Sequence, residues 1–80
     1  MTAKEMFEKL GYKIDMIQEY CIGYIRQKTT DKVEKTITFL DPGTSKYFVI
    51  IEGDRVNPTI SLEELQAINK QVEELGWNKW

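Results

Sequence analysis

Two stretches of this chain open with a capping box and close on glycine, and between them the hydrophobic period changes from helical to alternating. Few folds accommodate that arrangement. Thr2-Ala3-Lys4-Glu5 has the form in which a threonine hydroxyl accepts from the amide three residues on, while the glutamate accepts in return. Met1 and Met6 have the spacing of a hydrophobic staple, and Ala3, Met6, Phe7 and Leu10 share one helical face. Gly11 supplies a left-handed stop, with Tyr12 folding back toward Phe7. Ser61-Leu62-Glu63-Glu64 repeats the box, and Ile60 with Leu65 repeats the staple. Leu62, Leu65, Ile68, Val72 and Leu75 make the expected apolar stripe, Gly76 ends it, and Trp77 is set to pack on Val72. The spacing predicts helices over 2–10 and 62–75.

The middle reads as strands. From Glu19 to Gln27, Tyr20, Ile22 and Tyr24 alternate with Cys21, Gly23 and Ile25. After a polar turn at Thr29 to Lys32, Val33, Ile37 and Phe39 alternate with Glu34, Thr36 and Thr38. Asp41-Pro42-Gly43 is a turn signal, and a strand over about 46–52 runs into Gly53-Asp54, which suits a two-residue hairpin. A short edge strand near 55–56 is expected next, and Pro58 bars it from a central position. Residues 13–18 fit neither period. Consecutive hairpins predict an antiparallel meander of three or four strands flanked by the two helices. The order is α-β-β-β(-β)-α, an α+β domain occupying residues 1–80.

Composition narrows the chemistry. With 41% hydrophobic and 30% charged residues the chain reads as soluble and globular, and its longest apolar run, Tyr47 to Ile51, is strand-sized rather than membrane-spanning. Lys4, Glu5, Glu8 and Lys9 break any secretory pattern at the start, so a cytoplasmic location without membrane contact is expected. A formal charge of −2 is too balanced to predict nucleic acid or anionic membrane as partner. One cysteine and no histidine leave neither an internal disulfide nor the commonest general base and metal ligand. Cys21, between Tyr20 and Ile22, reads as a small buried hydrophobe.

The chemical motifs fail on inspection. Asp41 and Glu52 have calcium-loop spacing, but Lys46 stands where that loop needs glycine. Asn57-Pro58-Thr59 carries proline where a glycosylation acceptor forbids it. Glu63 and Glu64 read as charges favouring a helix N-terminus, and Glu73 and Glu74 as a solvated face. No catalytic constellation and no cofactor site emerges, so the expectation is a protein that is not an enzyme.

The opening Met-Thr-Ala-Lys-Glu-Met-Phe-Glu-Lys-Leu-Gly-Tyr resembles the start of small uncharacterised proteins of Gram-positive bacterial genomes and their prophages. The segment Glu-Glu-Leu-Gln-Ala-Ile-Asn-Lys-Gln-Val-Glu-Glu-Leu-Gly-Trp (63–77) is similar to their ends. The resemblance implies a cytoplasmic accessory protein of phage origin, and it carries over no functional residue and no cofactor.

The positive signal is apolar residues on both sides of the strands. Tyr20/Ile22/Tyr24 oppose Cys21/Ile25, and Tyr47/Val49/Ile51 oppose Phe48/Ile50, so either the helices divide between the faces or something else covers one. Tyr20, Tyr24, Tyr47 and Trp80 are the candidate anchors of a protein interface, because tyrosine and tryptophan are favoured there. The expected function is a protein-interaction module, with a homodimer as its most specific form and a host or defence protein as the target the resemblance implies. The alternative is weak nucleic-acid binding by Arg26, Lys28, Lys32 and Lys35, which cluster at the first hairpin beside Asp31 and Glu34.

Overall fold

The computed structural model describes residues 1–44, 46–54 and 58–77. Along the chain come α1 (Ala3–Lys9), β1 (Lys13–Gln18), β2 (Cys21–Thr29), β3 (Lys32–Leu40), β4 (Phe48–Gly53) and α2 (Leu62–Leu75). The strands form one antiparallel sheet in the order β1-β2-β3-β4, so the fold is an α+β meander bracketed by helices. The expected edge strand near 55–56 lies outside the described residues.

Both helix starts form by the local chemistry their sequences encode. The Glu5 amide donates to Thr2 Oγ1 and the Glu64 amide to Ser61 Oγ, and each glutamate accepts from its cap's amide in return. Both ends close alike. Tyr12 N–H donates to the Phe7 carbonyl and Trp77 N–H to the Val72 carbonyl, across Gly11 (φ 90°) and Gly76 (φ 76°).

Residues 13–18 become β1, and a bulge explains why they followed neither period. Ile14 pairs with Tyr24 but Met16 pairs with Gly23, so Asp15 is an extra residue that flips the parity. Ile14 and Ile17 therefore share one face while Met16 takes the other.

Both helices pack on the same face of the sheet. Phe7 of α1 and Ala67 and Ile68 of α2 form one core with Tyr12 and with Tyr24, Ile37 and Phe39 of the central strands. Phe7 stacks on Tyr24 at 4.1 Å between centroids, and Phe39 meets both rings edge-on. The apolar stripe expected on α2 is corrected in part. Leu62 and Leu65 are exposed, whereas Glu64, Ala67, Ile68 and Gln71 are buried. The helix is rotated so that its two inward polar residues meet polar residues of the sheet, and the apolar pattern alone cannot report that. Among the described residues, no helix is long and apolar enough to cross a membrane.

Candidate functional site

Two features stand apart from the ordinary core: a buried polar cluster under α2 and the opposite, uncovered face of the sheet. The cluster begins with Lys35, which lies on the inward side of β3 with Ile37 and Phe39. Its Nζ donates to the Glu64 carboxylate at 2.9 and 3.1 Å and to the Thr59 carbonyl. The Tyr12 hydroxyl donates to the same carboxylate, as does the Ser61 amide. Burial by itself raises the Glu64 carboxyl, but the donors from Tyr12, Ser61 and Lys35 outweigh it and hold the group at about 2. Burial, then the bond and the charge of Glu64, push the Tyr12 hydroxyl well above the usual tyrosine range. A second polar pair sits nearby, where the Tyr24 hydroxyl donates to Gln71 Oε1 at 2.6 Å. Burial, followed by the charges of Glu74 and Glu8, lifts the Tyr24 hydroxyl to about 12. Among the described residues no buried side-chain polar atom lacks a partner.

A cleft of about 320 Å³ opens beside this cluster, lined among others by Arg26, Lys28, Glu34, Lys35, Asp54 and Glu64. Its cations face its anions pairwise. Arg26 Nε lies 3.2 Å from Glu34, Lys28 pairs with Asp54, and Lys35 pairs with Glu64. Arg26 also donates to the Leu10 carbonyl at the end of α1 and lies over the Tyr12 ring at 4.8 Å. These neighbours correct the reading of Arg26, Lys28, Lys32 and Lys35 as a shared basic surface. Lys35 is buried, Arg26 and Lys28 are bound to carboxylates, and Lys32 alone of the four is exposed with no ion pair among the described residues. The charge-based reading of Glu64 and Glu74 is extended in the same way. Glu64 is only 3% exposed, and Glu74 accepts from the Ala3 amide at 2.8 Å, tying the start of α1 to the end of α2.

The expected interface anchors are scattered. Tyr24 is 2% exposed, stacked under Phe7, which corrects its assignment to an interface: it belongs to the core. Tyr20 is 57% exposed at the β1–β2 turn. Tyr47 is 48% exposed, but its ring stacks on Trp77 at 4.7 Å, and Trp77 in turn lies against Phe39 on the helix-covered side. Trp80 lies outside the described residues.

The uncovered face is built from residues of the other parity. In β2 and β3 these are Cys21, Gly23, Ile25, Thr36, Thr38 and Leu40, paired strand to strand. Met16 of β1 and Phe48 and Ile50 of β4 extend it to both edges, at 39%, 46% and 39% exposure. Cys21 is partly buried within it and is a free thiol. Residue type alone favours Tyr20, Tyr24 and Tyr47 as anchors, whereas the set that opposes them in the alternation includes Ile25, Phe48 and Ile50. Parity relative to Phe39 was the signal that would have found them. An open sheet face is ordinarily polar, so apolar side chains across all four strands are unusual there. Among the described residues, no group of three or more Cys, Asp or Glu side chains is placed to hold a metal ion. Comparison of the chain with protein-family models, with curated proteins and with solved structures finds no match.

Proposed function

We propose that this protein is a non-enzymatic interaction module that binds another protein through the open face of its sheet. One observation carries the reading: both helices cover the face bearing Tyr24, Ile37 and Phe39, and neither covers the face bearing Met16, Ile25, Leu40, Phe48 and Ile50, of which Met16, Phe48 and Ile50 are exposed and Ile25 and Leu40 half-buried. What supports binding over catalysis is that Tyr12, Lys35 and Glu64, the polar groups gathered in the interior, satisfy one another. A phage or prophage accessory role, acting on a host or defence protein in the cytoplasm, is the biological setting that the resemblance of the two capped helices suggests.

The test is capture from lysates of Gram-positive cells, with and without phage infection, on immobilised wild-type chain and on Ile50→Glu. Ile50 is exposed, so the substitution should leave the near-ultraviolet circular dichroism unchanged while placing a charge in the apolar face. A protein retained by wild type and lost on Ile50→Glu is the expected result. Equal retention on both, or retention by neither together with a chain that never self-associates, would refute the reading.

A further inference from the structure

We infer that the open face pairs with the same face of a second copy, across a two-fold axis parallel to the strands and passing between β2 and β3. The inference rests on the reading of that face as an interface, and it names the occupant. Three rows of outward side chains cross the sheet. The first runs Lys13, Ile25, Thr36, Glu52 from edge to edge. The second runs Met16, Gly23, Thr38, Ile50, and the third Gln18, Cys21, Leu40, Phe48. A bare glycine backbone at Gly23 lies between Met16 Cβ and Thr38 Oγ1, which would stand 3.6 and 3.8 Å from an added Cβ.

A two-fold axis along the strands lays β1 over the partner's β4 and β2 over the partner's β3 while keeping each row in register. Lys13 then faces Glu52 of the second copy, and Glu52 faces its Lys13. Met16 faces Ile50, Gly23 faces Thr38, and Cys21 faces Leu40. The first row joins opposite charges at the rim and sets Ile25 on Thr36, and the second joins Met16 to Ile50 and the smallest residue to a short one. The third joins Cys21 to Leu40 with Gln18 on Phe48, so the charged residues of the face all meet an opposite charge. Lys13 and Glu52 are both exposed and make no salt bridge among the described residues, so their charges are free to be used this way. Sheets packed face to face lie about 10 Å apart, a gap that a lysine and a glutamate reaching toward each other can span.

The competing arrangements lack the charge match. A two-fold axis across the strands would place Lys13 on Gln18 and lay Glu52 over the aromatic ring of Phe48. Pairing of the apolar β4 edges would leave Lys13 three strands from the joint. The area also sets the strength. Four strands about 4.8 Å apart and three rows about 7 Å apart give a footprint of roughly 400 Å². That is half of the roughly 800 Å² each partner gives to a standard interface, so the dimer is weak and reversible.

The experiment is sedimentation equilibrium over roughly 10–500 µM, a range suited to an interface of the small class, on wild type, Lys13→Glu, Glu52→Lys and the double variant. Wild type should dimerise. Each single reversal sets like charges against each other twice and should weaken association about tenfold, while the double variant restores the pairing to within about threefold of wild type. Wild-type association should also weaken as sodium chloride is raised from about 20 to 500 mM, a readout that stands should a variant fail to fold. A wild-type chain that stays monomeric overturns the inference, and capture of another protein that is lost on Ile50→Glu would then still uphold the interaction module. A dimer indifferent to charge reversal and to salt overturns the two-fold arrangement and points to the edge of β4 or to the crossed axis.

Discussion

Replacing Lys35 with methionine keeps an unbranched side chain but removes the charge that faces Glu64, and the domain should lose about 3–5 kcal/mol of stability. The magnitude follows from the geometry. Lys35 Nζ lies 2.9 and 3.1 Å from the two carboxylate oxygens. At roughly 3 Å and an effective dielectric constant of about 20, the attraction is on the order of 5 kcal/mol. In the intact protein the desolvation of both ions offsets most of it, so the pair as a whole adds little. After the substitution the carboxylate remains buried with only Tyr12 and Ser61 donating to it, and the Thr59 carbonyl loses the same donor. A chain of this size has on the order of 4–12 kcal/mol in total, so the loss is a large share of it. Urea unfolding followed by tryptophan fluorescence at neutral pH measures it directly.

The pH dependence supplies an independent check on the same reasoning. The Glu64 carboxyl is lowered from 4.5 to about 2 in the folded protein, so its stabilising contribution is complete above pH 4.5 and is lost as pH falls from 4.5 toward 2. Without Lys35, burial weighs more heavily and the folded-state value rises, so the variant takes up the proton earlier and relieves its buried charge. The gap between variant and wild type should therefore narrow between pH 7 and pH 3. A loss below about 1 kcal/mol at neutral pH, against the cost set by an unpaired buried charge, would refute the account, as would a gap of equal size at both pH values.

Gly76→Ala should cost about 1 kcal/mol, because a Cβ is unfavourable at φ 76° even though nothing lies within 4 Å of it, and an unchanged urea midpoint would contradict the left-handed helix stop. Tyr24→Phe leaves Gln71 Oε1 buried without its donor and should cost about 1–3 kcal/mol, whereas a loss below about 0.5 kcal/mol would mean that solvent replaces the hydroxyl. In alkaline titration, Tyr24 is raised from 10 to about 12 by burial and nearby carboxylates, so the stability its neutral form provides is complete below pH 10 and is lost as pH rises from 10 toward 12. Tyrosinate absorbance should accordingly come in at least two phases, the later one accompanying unfolding, and a single phase in a folded chain would contradict the buried network.

The helix boundaries are legible in the sequence because they are made by residues within about five positions of one another. Thr2 with Glu5, Ser61 with Glu64, and the two glycine stops need no tertiary partner to be recognised, and all of them form. The meander was legible for the same reason, since each hairpin joins neighbours in the chain. The inward position of Lys35 was present in its shared parity with Ile37 and Phe39, but a charge is expected outside unless its counter-ion is known, and Glu64 lies 29 residues away. Asp15 hid β1, because one bulged residue breaks the alternation by which strands are recognised. The open face was decided only by tertiary structure. Both sides of β2 and β4 carry enough apolar side chains to be buried, so local patterning does not choose between them. The choice comes from where the chain carries α1 and α2, and from the two polar contacts, Lys35 with Glu64 and Tyr24 with Gln71, that can be satisfied when both helices lie on the face that carries Phe39.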